Sequence, residues 1–225
     1  MPEDRLPPDV AISPVELAAG AAELGVTLDP TQIDRLVAFA ALLLRWNRVH
    51  NLTAIERPDQ VVSHHLLDSL AIVPTLEQRA GGRRLRVLDV GAGGGLPGIP
   101  LAIALPGLHF TLIDKVAKKV AFLQQARLEL GLGNLEVVQA RVEDYDAEPF
   151  DVIVARAFSS LADLVRLTRP LLHPAGEWFA MKGALSRSEI EELGALQLPV
   201  RLKRTVKLRV PHLDAERHLV LIEPL

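Results

Sequence analysis

The segment Val87-Leu-Asp-Val-Gly91-Ala-Gly93-Gly-Gly95-Leu-Pro-Gly98 constrains this chain more than any other stretch. A short apolar run rich in β-branched residues enters it and a helical pattern leaves it. It therefore reads as a strand–turn–helix unit, with five glycines in the eight residues from 91 to 98. Glycines at 91, 93 and 95 permit positive φ and let a ligand reach main-chain atoms with no Cβ in the way. Such a turn suits an open α/β sheet, whose ligands bind beyond the carboxyl ends of its parallel strands.

The pattern from residue 81 onward agrees with that placement. Strand-like runs at 85–90, 109–113, 135–139, 150–155 and 177–181 alternate with helical stretches near 98–105, 116–130, 161–172 and 186–193. Alternation of this kind implies βαβ units and a parallel sheet covered on both faces. The tail departs from it: 200–210 and 218–223 are two strands joined without a helical pattern, so they should pair antiparallel.

The first eighty residues carry helix signals and no strand signal. Ser13-Pro-Val-Glu16 is a capping box with proline at the first helical position, and Gly25 stops the helix. Asp29-Pro-Thr-Gln32 repeats the start for a longer helix with Ile33, Leu36, Val37, Ala40, Leu43 and Leu44 on one face, ending within 47–51. A third helix begins near 58 with Val61, Val62, Leu66 and Leu70 on its buried side. Residues 1–12 are expected to be a disordered leader, 13–80 a helical extension and 81–225 the α/β domain. Gly81-Gly82 and Arg79, Arg83, Arg84 and Arg86 mark the linker.

The chain has no cysteine, which removes disulfides, thiolate metal sites and cysteine nucleophiles. The N-terminal residues lack a signal peptide's apolar segment, and no apolar run is long enough to span a bilayer. A cytoplasmic monomer with no metal and no membrane partner is the expectation. The net charge of −3 argues at first against nucleic acid, but local field matters more than the sum. Basic residues cluster at 79–86, at Lys115, Lys118 and Lys119, and at Arg201, Lys203, Lys207 and Arg209. The last four read as one charged strand face for phosphates, against the alternative of a solvated edge.

Asp114 ends the second strand, where an acid accepts hydrogen bonds from ribose hydroxyls. Nicotinamide dinucleotides and S-adenosylmethionine (SAM) both carry such a ribose. Glu143, in Arg141-Val-Glu143-Asp144 after the third strand, stands where an adenine is read, and the second βαβαβ half that a dinucleotide needs is missing. The residues thus favour SAM and leave a dinucleotide oxidoreductase, a small-molecule methyltransferase and a non-catalytic RNA-binding protein as alternatives.

The chain resembles the bacterial small-subunit (16S) ribosomal RNA guanine-N7 methyltransferases, the glucose-inhibited division protein B family, from about Leu36 to the C-terminus. The carriers are Trp46-Asn47 with Asn51-Leu-Thr53, His65-Leu-Leu-Asp68-Ser69, and Asp89-Val-Gly-Ala-Gly-Gly-Gly-Leu-Pro-Gly-Ile-Pro-Leu101. Further carriers are Arg156-Ala-Phe158, Lys182-Gly183, Val210-Pro-His-Leu-Asp214 and Glu216-Arg-His-Leu219. The resemblance implies a class I SAM-dependent methyltransferase, a Rossmann-like α/β sheet with a C-terminal antiparallel hairpin and an N-terminal helical extension. It implies that Gly91 and Leu96 contact SAM, that Asp114 holds the ribose and Val142 and Glu143 the adenine, and that Arg156 lies beside the methionine end. The acceptor would be 16S ribosomal RNA, in the small subunit or its precursor.

The residues agree with that acceptor. Enzymes that methylate exocyclic amines place an Asn/Asp-Pro-Pro-aromatic tetrapeptide after strand four, and here that position reads Ala155-Arg-Ala-Phe158. Pyrimidine C5 would need a thiolate. Guanine N7 has a free in-plane lone pair, so positioning and desolvation suffice without a general base. Arg156, at the ligand-binding edge, is the residue expected to act there, by positioning. Lys182 shares that edge. His64 and His65 lie on a helix, with Asp68 on the same face as His65, as RNA contacts or as a structural pair.

Overall fold

The computed structural model describes residues 12–55 and 57–225. Residues 1–11 of the expected leader lie outside the described residues, and Ile12 is buried. Seven strands form one sheet in the order β3-β2-β1-β4-β5-β7-β6. They are β1 (Arg86–Val90), β2 (His109–Asp114), β3 (Leu135–Gln139), β4 (Phe150–Arg156), β5 (Leu172–Lys182), β6 (Val200–Leu208) and β7 (Arg217–Pro224). The first five are parallel, and β7 pairs antiparallel with both β5 and β6, as the tail's pattern predicts. From β1 the chain builds outward through β2 and β3, then returns to β4 on the other side. That reversal opens a crevice at the carboxyl ends of β1 and β4.

One face of the sheet carries α1 (Pro14–Glu23), α2 (Pro30–His50), the helical segments between 58 and 80, α6 (Gly98–Ala104) and α7 (Ala117–Glu129). Leu17, Leu36, Leu43, Leu66 and Leu76 join Val87, Leu101, Phe110 and Leu123 in one continuous core, so the N-terminal helices share the sheet's own apolar layer. Each fully buried leucine contributes about 1.5–3 kcal/mol. The caps behave as the sequence implies. Ser13 accepts the Glu16 N–H at the start of α1, and Asp29 with Gln32 forms the full reciprocal box at the start of α2.

The opposite face packs α8 (Leu161–Thr168) and α9 (Arg187–Gly194) against Leu88, Val90, Ile153 and Trp178. Trp178 is fully buried, and its indole N–H finds Thr168 Oγ1 at 2.8 Å.

Four expectations need correction. The helix predicted over 161–172 ends at Thr168, followed by a 3-10 turn, Arg169–Leu171. Pro170 has no N–H to continue the helical ladder, and β5 starts at Leu172, five residues before the expected strand at 177. Second, the helix from 58 is α3 (Pro58–Val61), a π-helical turn Val62–Leu67, and α4 (Asp68–Leu70). Ser63, His65, Leu67, Asp68 and Ser69 are buried along with the expected apolar face, so the segment is enclosed on nearly every side.

Third, a further helix, α5 (Val73–Ala80), contains Arg79. That arginine is committed to the buried Glu177 at 2.8 Å instead of marking a linker. Fourth, Arg201, Lys203, Lys207 and Arg209 do not share a face. Leu202 pairs with Ile222 but Arg204 with Leu221, and this bulge reverses the alternation between them. Val200 and Leu202 consequently pack on the α8 side, while Val206 and Leu208 pack on the α2 side. Arg201 and Lys203 are also paired already, with Glu223 at 2.6 and 3.0 Å.

Candidate functional site

At the end of β1 the backbone turns through Gly91, Gly93 and Gly95 at φ of 70°, 54° and 77°. The Gly91 and Ala92 N–H groups both donate to the Ile113 carbonyl, tying the loop to β2. A Cβ at Gly91 would meet no protein atom within 4 Å, so that position opens toward space. A Cβ at Gly95 would collide with Ile99 and stand 3.2 Å from Leu123. Gly95 therefore serves helix packing, and Leu96, 6% exposed, lies in the core behind the loop.

Asp114 organises the loop from the neighbouring strand. Its Oδ2 accepts the Gly93 N–H at 3.0 Å and its Oδ1 accepts the Val116 N–H at 2.9 Å. Each oxygen keeps a further lone pair, because a carboxylate offers about four acceptor sites. A cavity of about 320 Å³ opens here, lined by Gly91, Asp114, Val142 and Glu143 among others. Val142 and Glu143 stand on a 3-10 turn, Val142–Asp144, following β3. Thus four of the expected cofactor residues meet at one cavity, Gly93 joins them through Asp114, and Gly95 and Leu96 stand behind.

Sequence reasoning assigned no role to two residues here. Phe158 lines the same cavity. Asp89, in β1, is 1% exposed; its Oδ2 accepts the Gly98 N–H at 2.9 Å, and its Oδ1 is buried without a partner. Burial pushes its carboxyl up to about 7, against the Gly98 N–H and the Arg156 charge, which pull it down. The signal for Asp89 was an acid inside an apolar strand. Phe158 had none beyond its place in a motif.

Arg156 ends β4 and faces a second cavity of about 370 Å³, which Asp68, Lys182 and Arg217 also line. The next residue, Ala157, sits at φ 56° in the left-handed region. This turn is unfavourable for a residue with a Cβ, a form of strain found at ligand sites. It sends Arg156 to the second cavity and Phe158 to the first. Arg156 Nη1 donates to Asp68 Oδ2 at 3.1 Å and to the His64 carbonyl at 3.2 Å. From β7, Arg217 Nε donates to Asp68 Oδ1 at 2.9 Å. Arg217 lies in Glu216-Arg-His-Leu219, and nothing in that spacing points to Asp68.

His65 and Asp68 do not pair with each other. Because the His64 carbonyl can only accept, His65 Nδ1–H donates to it at 3.0 Å, and Nε2 accepts from Thr53 Oγ1 at 2.7 Å. Thr53 Oγ1 in turn accepts the Ile55 N–H, and Asn47 Oδ1 accepts the Thr53 N–H. Burial, assisted by the Arg156 charge, brings His65 down to about 4, which keeps the ring neutral in this network. Lys182 donates to the Phe158 carbonyl at 3.1 Å and pairs with Glu189 at 2.6 Å. Among the described residues, no group of three or more His, Cys, Asp or Glu side chains converges as a metal-ligand set, and no helix is long and apolar enough to cross a membrane.

The family described as rRNA small subunit methyltransferase G matches residues 32–220. Proteins named ribosomal RNA small subunit methyltransferase G are similar over most of their length. The one from Leptothrix cholodnii is 51% identical over 92% of this chain and 94% of its own. The one from Burkholderia thailandensis is 53% identical over 92% and 90%. A solved SAM-dependent methyltransferase from Aquifex aeolicus superposes with a TM-score of 0.54 at 17% identity, covering 76% of this chain and 96% of that one. That likeness shows a shared fold, the class I Rossmann-like methyltransferase sheet.

Proposed function

This chain belongs to the rRNA small subunit methyltransferase G family, and we propose that it transfers a methyl group from SAM to N7 of a guanine in small-subunit (16S) ribosomal RNA. The observation that carries the reading is the pair of cavities at the carboxyl edge of the sheet, parted by the turn at Ala157. The glycine loop with Asp114 and Glu143 stands in the wall of the first, and Arg156, Lys182 and Arg217 stand with Asp68 in the wall of the second.

The first cavity fits the cofactor on two grounds. Gly91 presents backbone where a side chain would stand, and Asp114 keeps free lone pairs for vicinal hydroxyls. Val142 supplies an apolar wall for a flat base, Glu143 an acceptor at its edge, and Gly93, Gly95 and Leu96 hold the loop's shape. SAM, when bound, supplies a sulfonium methyl open to in-line attack by a lone pair. Arg156 positions the reactants and takes no proton, since a guanidinium stays charged. Asp68 is shared by two arginines and His65 is locked by its neighbours, so neither is poised as a base. Guanine N7 needs none, and desolvation with orientation is what such a pocket provides.

The experiment is methylation of 16S ribosomal RNA lacking the modification, presented naked and as small subunits. N7 alkylation makes the ring cationic, so reduction followed by aniline should cut the RNA at one guanine only after enzyme treatment. Methylated RNA that survives uncut would overturn the N7 assignment, and transfer to small molecules but not RNA would overturn the acceptor.

A further inference from the structure

Asp68 is 2% exposed and stands between two arginines from opposite ends of the chain, one oxygen to each. We propose that this shared carboxylate holds Arg156 and Arg217 as a two-pronged cradle for a phosphodiester group of the RNA, beside the target base, with Arg217 as the phosphate-binding residue and Asp68 as the positioning residue. The inference rests on the reading of RNA as acceptor and adds a site to it.

The hydrogen-bond inventory supports the cradle. Arg156 commits only Nη1, to Asp68 and the His64 carbonyl, which leaves Nε and Nη2 without partners among the described residues. Arg217 commits Nε to Asp68 and Nη1 to the Glu216 carbonyl, which leaves Nη2. Both side chains are about one-quarter exposed at a cavity of about 370 Å³, and Lys182 stands in its wall. Three cations meet two carboxylates here, Asp68 and Glu189, so the cavity wall carries a surplus positive charge. Planar guanidiniums fixed by one acceptor present their remaining donors in set directions, which matches the oxygens of a phosphate. Free arginines on a surface would lose side-chain entropy on binding; these two have lost much of it on folding.

The test separates charge from positioning. Asp68→Asn adds one positive charge, so an effect of charge alone would tighten RNA binding. The cradle requires the opposite, a loss of about tenfold. Arg217→Ala should weaken RNA binding by about tenfold or more and lower the salt slope by about one phosphate contact. Arg217→Lys, which keeps the charge but not the fork, should recover only part of the affinity. SAM affinity by calorimetry should move less than threefold in both Arg217 variants, and thermal unfolding checks that all three variants are folded.

Inorganic phosphate supplies a readout without RNA. It should raise the wild-type unfolding temperature and compete with RNA but not with SAM, and both effects should fade in Arg217→Ala. If Arg217→Ala loses SAM affinity and keeps RNA affinity, the cradle serves the cofactor's carboxylate and the proposal falls. It also falls if Asp68→Asn binds RNA more tightly, or if a folded Arg217→Ala keeps its RNA affinity and salt slope. Wild type that methylates no ribosomal RNA yet retains phosphate competition would overturn the acceptor reading and leave the anion site standing.

Discussion

On the glycine-loop side of the site, Gly93 meets Asp114 across 21 positions, one strand to the next. On the arginine side, Asp68 meets Arg156 across 88 positions and Arg217 across 149. The first contact follows from two adjacent βα units, in which a crossover through α6 returns the chain to the neighbouring parallel strand. The second requires the helical segment over one sheet face, the fourth strand and the final antiparallel strand to be in place together. The two sides also use different interactions. Backbone geometry and N–H groups shape the first, while side-chain charge shapes the second, so substitutions should fail differently.

The largest expected effects lie in the loop and would break the contrast if they failed to separate. Gly95→Val places a branched side chain against Ile99 and Leu123 at a positive φ and should destabilise the whole domain by about 3 kcal/mol or more. Gly91→Val meets no protein atom within 4 Å. At φ 70° the valine costs about 1–2 kcal/mol of backbone strain; unfolding should stay cooperative, and SAM affinity should fall by roughly a hundredfold, about 2.7 kcal/mol. Thermal unfolding beside calorimetry decides the matter, and normal SAM affinity in Gly91→Val would remove the loop from the cofactor site.

A second expectation sets the two sides against each other through pH. Asp89 is held above its ordinary value near 4, up to about 7, by burial, so its contribution to stability is lost as pH rises through that window. His65 is held below its ordinary 6.5, down to about 4, by burial and then Arg156, so its contribution is lost as pH falls through that window. Between about pH 4 and 6.5 the two slopes oppose each other, each at most about 1.4 kcal/mol per pH unit. Asp89→Asn should make stability climb more steeply with pH than in wild type, and His65→Gln should make it climb less or fall. Urea unfolding at three pH values across this range measures both, and parallel curves for all three proteins would contradict the assignment.

The smallest effect sharpens the boundary. Thr53→Val removes the donor to His65 Nε2 and the acceptor of the Ile55 N–H and should cost about 1–2 kcal/mol of stability. SAM affinity should be unchanged, because the Asn47–Thr53–His65 network belongs to the arginine side. A SAM affinity that falls in step with stability would show the two sides to be coupled.

What could be read from residues alone follows this division. Caps at Ser13 and Asp29, the loop glycines, Asp114 at the end of the second strand and Glu143 after the third were legible because each signal lies within a few residues. The burial of Asp89 could be inferred only from an acid among apolar strand residues, and its missing partner could not. Arg217 looked like any basic residue of a charged hairpin. The bulge at Lys203 and Arg204, which parts Arg201 from Lys207, left no periodic trace, because a one-residue slip is decided by the partner strand.

By itself the sequence determined an open α/β sheet with a glycine-rich turn after its first strand. Glycine placement, β-branched runs and helix caps act through local backbone sterics and hydrogen bonds that need no distant partner. Only the tertiary structure decided that Asp68 would be shared by two arginines, that His65 would be neutral and that Arg79 would serve Glu177. A charged side chain's state and partner depend on which groups converge when water is excluded, and that convergence is a property of the packed chain.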